Sequence, residues 1–105
     1  MTTSTDKDEG ILPDGDKYVL RLFITGTTPS STRAIVNVRR ICEEHLSGRY
    51  ELEVVDILKD PARAKKHQII AAPTLVKELP LPLRRFIGDM SESKRLVDGL
   101  GISAA

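Results

Sequence analysis

One residue of this chain's 105 is cysteine, none is tryptophan, and tyrosine and phenylalanine contribute two each. A lone Cys42 excludes an internal disulfide, a CxxC redox pair and any multi-cysteine metal site. With so few aromatics, Leu, Ile and Val must supply most of the packing, and there is no ladder of rings for stacking bases. The chain has no apolar run of membrane-spanning length and no signal-peptide core, so a soluble, cytoplasmic protein is expected. The two histidines, His45 and His67, are far apart and lack spaced carboxylates or thiols beside them. They read as surface or half-buried side chains rather than metal ligands, so neither metal nor cofactor is expected.

Strong charge of one sign is also missing. The formal net charge is +1, but it is unevenly spread. Residues 1–16 hold five acids (Asp6, Asp8, Glu9, Asp14, Asp16) against Lys7, and the remainder is net +5. The second part favours an acidic partner surface, but it is not basic enough to argue for nucleic acid.

"MTTSTDKDEGILPDGD" is polar, acidic and rich in turn formers, and reads as a disordered lead-in of residues 1–16 before a single domain over 17–105. "KYVLRLFIT" (17–25) is a strand with Tyr18, Leu20, Leu22 and Ile24 on one face. Val19 and Phe23 join Arg21 on the other face, so the strand is central and covered on both sides. A helix follows over about 29–47, capped by Thr28 with Pro29 at the first helical position. Its stripe comprises Ala34, Ile35, Val38, Ile41, Cys42, His45 and Leu46, and Gly48 ends it. "YELEVVDIL" (50–58) completes a right-handed βαβ unit. Asp60 and Pro61 open a short, charged, weakly amphipathic helix that packs poorly. "PTLVKEL" and "RRFIGD" form an antiparallel pair around "PLPL". Ser91 then caps a last helix with Leu96, Val97 and Leu100 inward. The order βαβαββα, an α/β fold with a mixed four-stranded sheet, is that of the thioredoxin core.

In a thioredoxin the reactive thiols sit between the first strand and the first helix. Here that place reads Thr27-Thr28-Pro29-Ser30, and hydroxyls do not exchange disulfides. Cys42 lies about three turns further on and reads as a small buried hydrophobe. A glutathione-type site using Thr28 or Ser30 lacks room for the helical domain that such transferases add. "GTTPSST" lacks the glycines and lysine of a phosphate loop. The adjacent acids Glu43 and Glu44 read as a solvated helix end. Of the basic pairs Arg39-Arg40 and Arg84-Arg85, the second stands out because it opens a strand beside a proline-rich turn. Arg33 sits near a helix start, where the dipole disfavours a cation.

Three stretches carry a resemblance: "KYVLRLFITGTTPSSTRAIVNVRRICEEHL", "YELEVVDILKDPARAKKHQIIAAPTLVKELPLPLRRFIGDMS" and "KRLVDGLG". Over residues 17–101 the chain resembles the KaiB family of bacterial circadian-clock proteins. The run P-T-L-x-K-x-L-P-x-P-x-R-R-x-I-G-D, from Pro73 to Asp89, is its most specific part. The resemblance implies a non-enzymatic regulator that binds the N-terminal ATPase ring of KaiC, with KaiA or a clock histidine kinase as further partners. It also implies two folds: a resting βαββααβ homo-oligomer, dimeric or tetrameric, and a thioredoxin-like form that binds KaiC. Arg33, Thr74, Lys77, Arg84 and Arg85 match positions the family uses in assembly or partner contacts. Tyr18, Gly88, Asp89 and Gly99 match positions tied to the balance between folds. Pro73, Pro80 and Pro82 join Gly88 in punctuating a segment that is strand in one fold and helix in the other. The chain departs from the family at Gly101, where an Asp is common before an acidic C-terminal tail. Family members working outside a full oscillator, in timing or stress adaptation, supply an alternative function.

Overall fold

The computed structural model describes residues 17–102. The proposed disordered segment 1–16 lies outside the described residues. Seven elements follow in order: β1 (Tyr18–Ile24), α1 (Pro29–His45), β2 (Tyr50–Asp56), α2 (Pro61–Lys66), β3 (Thr74–Leu79), β4 (Arg84–Ile87) and α3 (Ser93–Leu100). This is the βαβαββα order read from the sequence.

The sheet order is β2-β1-β3-β4. β1 pairs parallel with β2 and antiparallel with β3, and β3 pairs antiparallel with β4. The parallel pair requires a crossover, which α1 supplies. Both faces of β1 are apolar because both are covered. Tyr18, Leu20, Leu22 and Ile24 join the main core with Ala34, Val38, Ile41 and Cys42 of α1 and Leu96, Val97 and Leu100 of α3. Phe23, on the opposite face, forms a smaller cluster with Val55 and Val76.

The caps follow the local sequence. The Thr28 side chain accepts from the Ser31 N–H at 3.2 Å, and Asp60 accepts from the Arg63 N–H at 3.3 Å. The last helix is a correction: its N-cap is Glu92, without a side-chain cap bond. Ser91 instead donates its N–H to Asp89 Oδ1 at 3.1 Å, because the turn after Gly88 is built around that carboxylate. The second strand also stops early, at Asp56, whose Oδ1 accepts the Leu58 N–H at 3.0 Å and turns the chain. α2 buries no residue, as its weak amphipathicity implied.

Two contacts draw α3 onto the sheet. The Tyr18 hydroxyl donates to the Leu100 carbonyl at 3.0 Å. At Gly99 the helix comes so close to β4 that an added Cβ would lie 2.4 Å from the Phe86 ring. Gly88, at φ +118°, holds a conformation that side chains with a Cβ rarely adopt. Gly99→Ala is expected to destabilise the protein by about 1 kcal/mol or more, overpacking outweighing the gain in helix propensity. Urea denaturation checks this, and wild-type stability would show that the Phe86 ring swings aside without cost.

Candidate functional site

Where a thioredoxin holds its thiols, this chain has hydroxyl residues, and one of them, Ser31 in the first turn of α1, turns inward. Ser31 is fully buried, and its Oγ accepts the Thr25 N–H at 3.0 Å. Gly26, at φ +58°, donates its N–H to Asp56 Oδ1 at 3.1 Å. Across from it, the Ala72–Pro73 peptide is cis, as are Leu79–Pro80 and Leu81–Pro82. Thr74 Oγ1 donates to the Ala71 carbonyl at 2.6 Å, and the Gly88 N–H donates to the Pro73 carbonyl at 3.0 Å. The first of these bonds closes the proline loop onto the start of β3, and the second ties it to the end of β4.

Cys42 is fully buried, and burial, with Glu43 adding to it, pushes its thiol up to about 12. It is neither thiolate nor accessible at neutral pH. No group of three or more His, Cys, Asp or Glu among the described residues could hold a metal ion. His67 packs its ring against Phe23 with centroids 5.3 Å apart, and His45 lies in the last turn of α1.

The polar groups gather in three places. The first is the turn after β4. Arg33 Nε pairs with Asp89 Oδ2 at 2.9 Å, and Asn37 Nδ2 donates to the Asp89 carbonyl at 2.9 Å. Bonds from Arg33 and Ser91 hold the Asp89 carboxyl below its usual range. The unfavourable helix-start cation is thereby given a counter-charge. Beside this clamp lies a groove of about 500 Å³ between β4 and α3, lined by Phe86, Gly88, Asp89, Met90 and Arg95 among others.

The second place is the far end of the β3–β4 hairpin. Lys77 faces Arg84 in register. Lys77 is 4% exposed, and burial, with Arg84 adding to it, lowers its amine's pKa. Arg84 and Arg85 are exposed, as are Leu79, Leu81, Leu83 and Ile87. Arg85 donates to the Gln68 carbonyl at 3.0 Å, on the α2 side of the sheet.

The third was not foreseen. On the α2 face, Arg21 binds Glu78 at 2.8 Å and also pairs with Glu53. Arg63 grips Glu53 through both guanidinium nitrogens, and His67 Nδ1 lies 3.7 Å from Glu78. The sequence signal was only an arginine amid an apolar strand; its pairing with Glu53 comes from the parallel register. The first cause of Glu53's depressed pKa, about 2, is its bond from Arg63.

The residues singled out by resemblance do not form one surface. Arg33 meets Asp89 at one end of β4, whereas Lys77 and Arg84 sit at the other end. Thr74 is buried in the proline loop at 3% exposure. Tyr18 and Gly99 meet α3 and β4 from the core side.

This geometry defines a protein with a thioredoxin-like fold that carries Thr27, Thr28 and Ser30, and no thiol, where its first strand meets its first helix. Among solved structures, it superimposes on the N-terminal domain of SasA from Synechococcus elongatus with a TM-score of 0.69, at 20% identity and covering 93% of each chain. A thioredoxin of Fasciola hepatica gives 0.65 at 19% identity, covering 81% of each chain. The KaiB domain model matches residues 21–102. Circadian clock protein KaiB3 of a Synechocystis species is 47% identical over 89 residues, spanning 85% of this chain and 87% of that one. The circadian clock oscillator protein KaiB of Synechococcus elongatus is 45% identical over 85 residues, spanning 81% and 83%. The chain belongs to the KaiB family of circadian clock proteins.

Ser31→Ala would take the acceptor from the half-buried Thr25 N–H, and a loss of about 1 kcal/mol is expected by chemical denaturation. Stability should also fall as pH drops from about 4.5 to about 2. In that window unfolded Glu53 takes up a proton that the folded state refuses, so acid favours unfolding. Glu53→Gln should flatten this part of a plot of urea midpoint against pH; an unchanged slope would detach the carboxylate from acid stability.

Proposed function

We propose that this protein is a regulatory binding module of a clock or timing system. In this reading it docks on the N-terminal ATPase ring of a KaiC-type protein and modulates that protein's ATPase and phosphorylation cycle. The observation that carries the reading is the family match over residues 21–102, in a chain whose thioredoxin-like arrangement holds no thiol pair. Such a fold is left with its surfaces rather than a nucleophile.

Arg33, Thr74, Lys77, Arg84 and Arg85 are the proposed partner-binding set. Arg84 and Arg85 present charge from an edge strand, which steers and orients an acidic partner. Exposed Leu79, Leu81, Leu83 and Ile87 supply apolar area beside them, where most of the affinity would reside. Thr74 and Lys77, being buried, contribute through the shape and charge of that edge. The rearrangement to a resting homo-oligomer is part of the same proposal. It involves Tyr18, Pro73, Pro80, Pro82, Gly88, Asp89 and Gly99. KaiA and a clock histidine kinase are the further partners proposed, with action in the cytoplasm. No helix among the described residues is long and apolar enough to cross a membrane.

The test is co-precipitation with the cognate KaiC-type ATPase after prolonged incubation with ATP, alongside an ATPase assay. Arg84→Glu/Arg85→Glu should weaken binding on the order of tenfold or more. Absence of wild-type binding, with ATPase rates unaltered, would overturn the reading.

A further inference from the structure

Lys77 is a cation in the wrong place. Its side chain is buried, its register partners are Leu20 and Arg84, and neither it nor Arg84 has a hydrogen-bond or ion-pair partner among the described residues. A buried ammonium without a counter-charge is costly, and a neighbouring guanidinium makes it worse. The surface around this pair is also unfinished. Leu81 is 74% exposed and Leu83 52% exposed, next to the uncovered Arg84 and Arg85. Apolar side chains flanked by cations that lack an acidic counter-charge among the described residues fit an occupant that is acidic and carries a few apolar groups.

The chain itself supplies such a segment. Residues 1–16 carry Asp6, Asp8, Glu9, Asp14 and Asp16 against one lysine, with Ile11 and Leu12 between the acids. They lead into β1 at Tyr18, and the first residues of β1 lie at the same end of the sheet as the β3–β4 turn: Val19 pairs with Leu79. β4 is two strands away, about 10 Å. Sixteen residues reach roughly 50 Å when extended. A tether this short gives an effective concentration on the order of millimolar, so weak charge contacts suffice.

We propose that the acidic segment 1–16 docks in cis on the cationic hairpin edge, placing carboxylates against the exposed Arg84 beside buried Lys77, and apolar side chains against Leu79, Leu81 and Leu83. The docking stands independently of any partner.

The experiment uses the full chain alone, so its outcome is separable from that of the ATPase assay. Amide NMR spectra are compared between the wild type and a variant with all five segment acids neutralised (Asp6→Asn, Asp8→Asn, Glu9→Gln, Asp14→Asn, Asp16→Asn). Resonances of residues 77–85 should shift, as should the Lys77 side-chain amine. Raising salt to roughly 0.5 M should move the wild type in the same direction. The reciprocal variant, Arg84→Gln/Arg85→Gln, should shift residues 6–16. Shifts confined to residues 1–17 in the first variant, with hairpin resonances unmoved, would overturn the proposal. So would a hairpin perturbation that vanishes on about tenfold dilution, which would assign the edge to a second copy.

Discussion

β1 must be covered on both faces, and most of the architecture follows from that requirement. Leu20 and Leu22 leave one side of the strand essentially without solvent exposure, and Phe23 does the same on the other. Each such side chain gains about 1.5–3 kcal/mol from burial, so no arrangement that exposes either face competes. α1 and α3 cover the first side and, by filling it, set where the parallel partner β2 and the antiparallel partner β3 must lie. Tyr18 carries the constraint to the end of the described chain, since its hydroxyl holds the last carbonyl of α3. The strand that begins the fold therefore also fixes its final helix.

The elements governed by burial were legible in the sequence. Alternating apolar residues in 17–25 and helical spacing from Ala34 to Leu46 state their own period, and the caps at Thr28 and Asp60 are chemical signals of short range. Less legible were features in which a side chain turns back on its own backbone. Asp56 ends β2 and Asp89 organises the turn after β4, and both look in sequence like ordinary surface acids. The ion-pair cluster around Arg21 and Glu53 needed the parallel register, which no local pattern contains. Burial of Lys77 was invisible for a related reason: strand alternation says which face a residue shares, not whether the edge of that face is open.

The candidate site keeps the thioredoxin-like arrangement of loops without a thiol pair. In the first turn of α1 the buried oxygen is Ser31, and it is consumed by the Thr25 amide of the preceding loop. In the proline loop the hydroxyl of Thr74 is likewise spent on a carbonyl. Both hydroxyls fasten loop backbone to the element beside it. Arg84 and Arg85 stay exposed on the edge strand β4, within the stretch matched by the KaiB domain model.

α2 buries none of its residues, and its grip on the sheet runs through Arg63 to Glu53, with the neighbouring His67 touching Phe23 and Glu78. Attraction between half-exposed charges weakens as dissolved ions accumulate, whereas the packing beneath β1 does not. The two halves of the molecule thus answer to different variables. The first is held by water's aversion to hydrocarbon; the second listens to the ionic strength of its surroundings, and detaching α2 would spare the β1–α1–β2 unit. An element fastened in this way can come loose at small energetic cost while the rest of the protein stays folded.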